Sequence, residues 1–178
     1  LPNTLYKFQV RSVCTGGFTS NWFGPQSFQT ASFGDTCAGP IVVPPSLTSA
    51  YITNDNTANY IDSNDIAQPV ACSGTATNYM AGNDVFYTFT PTFTGNIAIS
   101  LTAANVSSSI HVYSQCPVAG MPATSCLGGV ANPTATPRII NPFAVTAGTT
   151  YYIIVSSSAA QQTVGYTLTI QRVFCNQP

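Results

Sequence analysis

The stretch NIAISLTA, residues 96–103, decides the fold class of this chain. Ile97, Ile99 and Leu101 alternate there with small or polar residues. A period of two places these three side chains on one face of an extended chain, which predicts a β-strand with one buried face. Clusters of Gly, Pro, Asn and Ser separate this run from similar ones, and we find no segment with a convincing helical period.

Other runs extend this pattern along the chain. Tyr166, Leu168 and Ile170 alternate in the same way and should also point inward. The segments at 84–89 and 149–158, DVFYTF and TTYYIIVSSS, are apolar on both faces, as central strands covered on both sides are. Many short strands joined by polar turns predict an all-β fold, an antiparallel β-sandwich or jelly-roll-like domain.

The composition narrows the classes of partner. The 178 residues include only four Lys or Arg and five Asp or Glu, so 5% of the chain is charged and the net charge is −1. Without a basic cluster the chain cannot neutralise a phosphate backbone, so we expect no nucleic-acid partner. No apolar run approaches the ~18 residues of a membrane span. The first residues do not resemble a signal peptide, so the leader of an exported chain would be removed or lie upstream.

The cysteines indicate an oxidising compartment. None of the six belongs to a CxxC pair, and a single histidine is available to join them, so zinc spacing is absent. We therefore expect disulfides and an extracellular or cell-surface location, with buried free thiols as the alternative. Cys116 and Cys126 flank a short Pro- and Gly-containing loop and are predicted to pair with each other. The pairing of the others stays open: Cys14, Cys37, Cys72 and Cys175.

The sequence offers little for catalysis. It contains one His, one Lys and five Asp but no Glu, and it lacks a GxSxG nucleophile motif. In SSIHVYS, His111 falls on the strand face opposite Ile110 and Val112, which fits a structural role. Because so few residues of catalytic type are present, we expect that this chain is not an enzyme.

A metal site is one candidate for function. Asp55, Asp62 and Asp65 lie in TNDNTANYIDSNDIAQ among several Asn residues, and Asp84 follows in GNDVF. Carboxylate and amide oxygens are the ligands that calcium prefers, so calcium is a possible cofactor. The alternative is a loop rich in Asx-turns, in which Asn and Asp bind their own backbone.

A glycan site is the other candidate. Tyr51, Tyr60 and Tyr79 lie in loop-like sequence rich in amide side chains. Exposed aromatic rings beside Asn and Asp suit a polysaccharide or a cell-surface glycan. The alternative is that these rings close the ends of the sandwich by packing.

The first thirty residues predict a β-hairpin. Lys7 and Gln9 alternate with Tyr6 and Phe8, a loop follows, and QSFQT at 26–30 provides a return strand. Residues 1–30 resemble the last two strands, F and G, of a fibronectin type III domain. Leu1, Pro2, Thr4 and Tyr6 match the approach to strand F of such a domain. The resemblance implies that the remaining strands of such a domain come from elsewhere, since a lone hairpin is marginally stable.

The rest of the chain is divided by composition. Residues 31–40, ASFGDTCAGP, form a linker that Gly and Pro keep irregular. Residues 41–175 resemble the pre-peptidase C-terminal β-sandwich of secreted modular bacterial proteins, through GNDVFYTFTPTFTGNIAISL, SSIHVYSQCP and VTAGTTYYIIVSSS. Where members of that family often carry an aspartate cluster, this chain has LGGVAN, so the resemblance does not imply a calcium site there. Residues 176–178 would begin a further linker or module.

Together these features predict a non-catalytic extracellular β-sandwich module of a larger secreted or cell-surface protein, used for adhesion or display. Its expected partners are neighbouring domains or subunits of the same protein. Two alternatives stay open: a structural subunit of an extracellular filament assembled by strand exchange, and an accessory substrate-binding module of a secreted hydrolase.

Overall fold

The computed structural model describes residues 4–62, 79–103, 107–117, 125–134 and 136–174. The chain divides into two units, residues 1–33 and residues 34–178. The first is a β-hairpin and the second is a β-sandwich. Among the described residues, no helix is long and apolar enough to cross a membrane.

The first unit confirms the predicted hairpin. Strand β1 (Leu5–Val10) pairs antiparallel with β2 (Phe23–Gln29), and a bulge lies between the pairs Phe8–Gln26 and Val10–Phe23. Gly24 occupies this bulge with a φ of +119°, and a Cβ there would lie 3.0 Å from the carbonyl oxygen of Phe8. Only glycine accommodates both the backbone conformation and the close approach.

The described part of the second unit contains nine strands in two sheets. A five-stranded sheet has the order β3-β5-β10-β7-β8, and a four-stranded sheet has the order β4-β11-β6-β9. The strands are β3 (Ile41–Val43), β4 (Tyr51–Asn56), β5 (Val85–Phe89), β6 (Gly95–Ala103), β7 (Ser108–Tyr113), β8 (Cys126–Asn132), β9 (Arg138–Val145), β10 (Tyr151–Ser157) and β11 (Gly165–Val173). A 3₁₀ turn, Thr57–Asn59, follows β4.

The inward faces agree with the sequence pattern. Ile97, Ile99 and Leu101 of β6 are buried in the core between the sheets, as their alternation predicted. The hydroxyl groups of Tyr87 and Tyr166 form a 2.6 Å hydrogen bond inside this core, which joins the two sheets. Burial raises the pKa of both phenols, so each hydroxyl stays neutral and available for the bond.

The central strands of the five-stranded sheet are covered on both faces, as predicted. Phe86 of β5 and Ile154 of β10 point away from the main core and pack with Met80 and Tyr113 in a second apolar cluster. The sheet therefore lies between two apolar layers, which explains why these strands lack a polar face.

The sheet is mixed, whereas the sequence predicted antiparallel pairing throughout. Strand β3 pairs parallel with β5 over the residues Ile41 to Val43. The chain between them contributes β4 to the other sheet, and the crossover returns it in the same direction.

A buried arginine holds the turn between β8 and β9. The Arg138 side chain is fully buried and donates hydrogen bonds to the backbone carbonyl oxygens of Ser108, Asn132, Thr134 and Thr136, at 2.6 to 3.1 Å. Carbonyl oxygens thus solvate a charge that burial would otherwise penalise heavily.

Candidate functional site

His111 is part of the packing on the outer face of the five-stranded sheet. Its side chain is fully buried, and its ring lies 6.3 Å from that of Tyr113. Nε2 lies 3.4 Å from the carbonyl oxygen of Tyr79, and Nδ1 has no hydrogen-bond partner among the described residues. Burial lowers the pKa of His111 to about 4, although the Tyr79 carbonyl acts in the opposite direction. The imidazole is therefore neutral at pH 7 and belongs to the packed interior.

Both carboxylate oxygens of Asp55 accept hydrogen bonds from residues that follow it closely in the chain. Its Oδ1 atom accepts hydrogen bonds from the Asn56 backbone at 2.7 Å and from the Asn59 amide at 3.0 Å. Its Oδ2 atom accepts a 2.6 Å bond from the Tyr60 hydroxyl. The Asx-turn alternative is met at the next residue, where Oδ1 of Asn56 accepts a 2.9 Å bond from the Ala58 backbone two residues on.

The other candidate calcium ligands are spread over the fold. Asp62 accepts a 2.8 Å bond from the Gln161 backbone through Oδ2, while its Oδ1 is buried without a hydrogen-bond partner among the described residues. Asp84 is buried directly before β5, and Asp65 lies outside the described residues. Within the described ranges, no three of His, Cys, Asp or Glu come close enough to hold a metal ion. Calcium binding stays a prediction.

Two of the three candidate glycan-binding tyrosines pack against the main core. Tyr51 is half-buried, meets the Tyr87 ring edge-on at 6.5 Å, and lines a cavity of about 250 Å³ between β3 and β4. The Tyr60 ring lies so close to Gly34 that a Cβ there would be 2.6 Å from it. Burial, followed by the hydrogen bond to Asp55, raises the pKa of Tyr60.

Tyr79 lies in a different place. Its carbonyl oxygen accepts a 2.5 Å hydrogen bond from the Ser109 hydroxyl, on the outer face of the five-stranded sheet. The structure therefore does not assemble the three tyrosines into one aromatic platform, and glycan binding by them stays a prediction.

The predicted bond between Cys116 and Cys126 is wrong. Cys116 is bonded to Cys37, with their Cα atoms 5.8 Å apart. Cys126 pairs with Tyr113 in the strand register, three residues before Cys116. Because the sulfur of Cys116 is already bonded to Cys37, it cannot also bond Cys126.

The remaining cysteines differ in state. Cys126 is itself disulfide-bonded, and Cys14 is an exposed free thiol. Cys72 and Cys175 lie outside the described residues.

One face of the hairpin is apolar and exposed. We call the side chains of Tyr6, Phe8, Val10, Phe23 and Phe28 the apolar face, because the register places them together. The rings of Tyr6 and Phe28 stack at 5.3 Å, and that of Phe8 lies 6.3 Å from Phe28. All five side chains are between 38% and 66% exposed.

The hairpin also carries a groove. We call it the tryptophan groove; it has a volume of about 350 Å³ and is lined by Lys7, Phe8, Gln9, Trp22 and Pro25. The guanidinium carbon of Arg11 lies 4.6 Å from the centre of the Trp22 ring, within the range of a cation–π contact.

Sequence reasoning placed Trp22 correctly in the loop before β2 but missed the groove because it did not relate this ring to the side chains of β1. A signal was available: the only Trp of the chain follows a strand in which Lys7, Gln9 and Arg11 share one face. A hairpin register drawn from that alternation would have brought the ring and the two cations together.

Neither protein-family models nor curated protein sequences match this chain. Solved structures do. The pre-peptidase C-terminal domain of a collagenase from Bacillus anthracis matches with 12% identity and a TM-score of 0.36, over 74% of this chain and 94% of that one. A periplasmic inhibitor of g-type lysozyme from Aeromonas hydrophila matches with 11% identity and a TM-score of 0.39, over the same shares.

A β-(1,4)-mannanase from Podospora anserina also matches, with 13% identity and a TM-score of 0.39, over 75% of this chain and 28% of the mannanase chain. Similarities at this level carry no argument about function, so the function is argued from this chain's own residues.

Proposed function

We propose that this chain is a non-catalytic extracellular module for adhesion or display, with the sandwich as its structural body and the hairpin as its docking element. The distribution of exposed apolar side chains is the observation that carries the proposal. Ten of the 16 exposed large hydrophobic residues lie in residues 5–33, and six lie in the whole remainder of the described chain. A concentration of this kind marks an interaction surface.

The apolar face should dock on an antiparallel sheet of a neighbouring domain of the same protein. Such a sheet would place an apolar layer about 10 Å away and exclude water from the stacked rings. The resemblance of residues 1–30 to fibronectin type III strands supports this occupant, because those strands normally form half of a sandwich. The disulfide between Cys37 and Cys116 supports an oxidising, extracellular setting.

A second candidate is a filament subunit, in which the hairpin adds to a sheet of another copy. The hairpin sheet has only two strands, so each of β1 and β2 has one unpaired edge among the described residues. An exposed edge is a template for strand addition.

Mass spectrometry of the denatured native material, together with negative-stain microscopy, tests both candidates. The module proposal expects a mature chain that extends well upstream of Leu1, with the missing sheet encoded there. The filament candidate expects a mature chain beginning near Leu1 and ordered polymers that disappear when residues 1–30 are deleted. A mature chain that begins near Leu1 and stays monomeric would contradict both.

A further inference from the structure

The tryptophan groove has a ring that the hairpin does not need for packing. Trp22 is the only Trp of the chain, and 56% of its surface is exposed. A ring of this size is usually buried to a large extent, so its exposure beside the groove leaves it available to a ligand. The bulge at Gly24 opens the strand pairing beside it and lets Pro25 form one wall of the groove.

The groove is surrounded by cations without counter-ions on the same unit. Lys7 lines it, Arg11 covers part of the indole, and residues 1–33 contain no Asp or Glu. The hairpin unit therefore has a formal charge of +2. The other unit contains all five Asp together with Arg138 and Arg172, giving a charge of −3. The groove is thus the basic part of an acidic chain and complements an anionic ligand.

The groove also offers neutral hydrogen bonding. Gln9 presents a donor and an acceptor beside the ring. A flat indole accepts the C–H face of a pyranose, an amide bonds its hydroxyl groups, and an ammonium or guanidinium group binds a carboxylate. These three functions together match a uronic acid residue.

Other anionic ligands fit less well. An acidic peptide would add to a strand edge, whereas the groove lies on the face of the hairpin. Nucleic acid requires more phosphate contacts than two cations provide. The volume of about 350 Å³ is at the small end of ligand sites and suits one or a few sugar rings.

We propose that the tryptophan groove binds an acidic polysaccharide through a uronate residue. This inference rests on the proposed adhesive function and names its ligand class. Phe8 borders both surfaces; the rest of the apolar face is left for the neighbouring sheet, while the groove uses Lys7, Gln9, Trp22 and Pro25. For a site of this size that is open to solvent, we expect a dissociation constant on the order of 1 mM per short oligosaccharide.

Trp22 provides its own readout, because no other Trp contributes to the fluorescence of the full chain. The probe is trigalacturonate, with maltotriose as the neutral match and tetraglutamate as the acidic peptide. We expect a saturable change in Trp22 emission with trigalacturonate and at least ~10-fold weaker responses to the other two. Absence of a change, or an equal response to maltotriose or tetraglutamate, overturns the proposal.

Charge variants separate the groove from general electrostatics. Lys7→Gln and Arg11→Gln should each weaken trigalacturonate binding ~5-fold or more, and ¹H–¹⁵N spectra check that the hairpin is retained. Arg172→Gln removes the same charge from the sandwich unit and should leave binding unchanged. Equal weakening by all three variants would overturn the assignment to the groove. The titration is independent of chain length and polymer formation, so its failure differs from a failure of the proposed function.

Discussion

In the sandwich, Arg138 and His111 are fully buried and serve the packing, whereas in the hairpin Phe28 and Trp22 are more than half exposed. The sandwich thus places chemically versatile groups where no ligand reaches them, and the hairpin places apolar groups where water does. Residue type alone would have suggested the reverse. In this chain, apolar side chains that stay exposed are therefore a better guide to a binding surface than the presence of ionisable side chains.

Removal of the buried guanidinium should have the largest effect on the sandwich. Arg138→Met would remove the donor from the buried carbonyl oxygen of Ser108 and from three partly buried ones, and a buried acceptor costs about 1–3 kcal/mol when unpaired. We expect a loss of about 5 kcal/mol in the free energy of unfolding, measured by urea denaturation and far-UV circular dichroism.

Arg172→Met is the matched control for this variant. Arg172 lies 4.1 Å from the centre of the Phe93 ring and should contribute about 1 kcal/mol or less. Equal effects of the two substitutions would contradict the role assigned to Arg138.

The disulfide should rank next. Cys37 and Cys116 close a loop with a sequence separation of 79 residues, for which the loss of unfolded-state entropy stabilises by about 4.5 kcal/mol. Substitution of both cysteines by Ser removes this stabilisation and should lower the midpoint temperature of thermal unfolding. Cys14→Ser, at the exposed free thiol, should leave that midpoint unchanged; a similar decrease would show that the loop model is inadequate.

His111 should make the sandwich sensitive to acid. Its folded-state pKa of about 4 is below the ordinary value of about 6.5, so the unfolded chain binds more protons between these values. The stabilisation is complete above pH 6.5 and is lost as the pH falls toward 4, by about 3 kcal/mol in total.

Urea titrations at pH 7.5 and pH 4.5 measure this loss, and His111→Leu removes its source. The neighbouring titratable groups are Asp84 and the phenol of Tyr113, whose pKa is raised to about 12 by burial and then by the charge of Asp84. The wild-type minus variant difference isolates the imidazole from them. A pH dependence that is the same in both proteins would exclude His111 as the cause.

The smallest free energy should be that of the hairpin itself. A two-stranded sheet with an exposed apolar face has a stability of about 1 kcal/mol or less. Emission from Trp22 should therefore change at much lower urea concentrations than the far-UV signal of the sandwich. Coincident transitions would mean that the contrast between the two units is wrong.

Much of the fold followed from local pattern. Alternation in a strand reports which side chains face a core, so Ile97 and Leu101 were placed correctly, as was the double covering of Phe86. The parallel pairing of β3 was missed because three residues carry no sign of strand direction. Whether two strands pair parallel or antiparallel depends on how the chain connects them through the rest of the fold.

The site was less predictable than the fold. Cys116 and Cys126 are close in sequence, but the bond to Cys37 is decided by a register that sequence spacing does not contain. Likewise, the contact between Arg11 and Trp22 joins residues across a loop. Contacts between distant segments are set by tertiary geometry. The sequence therefore showed which residues could form such contacts, but it did not show with which partners.

The pairing of β4 with β11, the last described strand, means that the four-stranded sheet is complete only after β11 is made. Its partner is β11, and Tyr51 pairs with Ile170, which is 119 residues later (170 − 51). At about 5–20 residues per second of synthesis, β4 waits on the order of ten seconds for its partner. Asn54, Asp55 and Asn56 give β4 polar side chains of the kind that lower the tendency of an unpaired strand to associate.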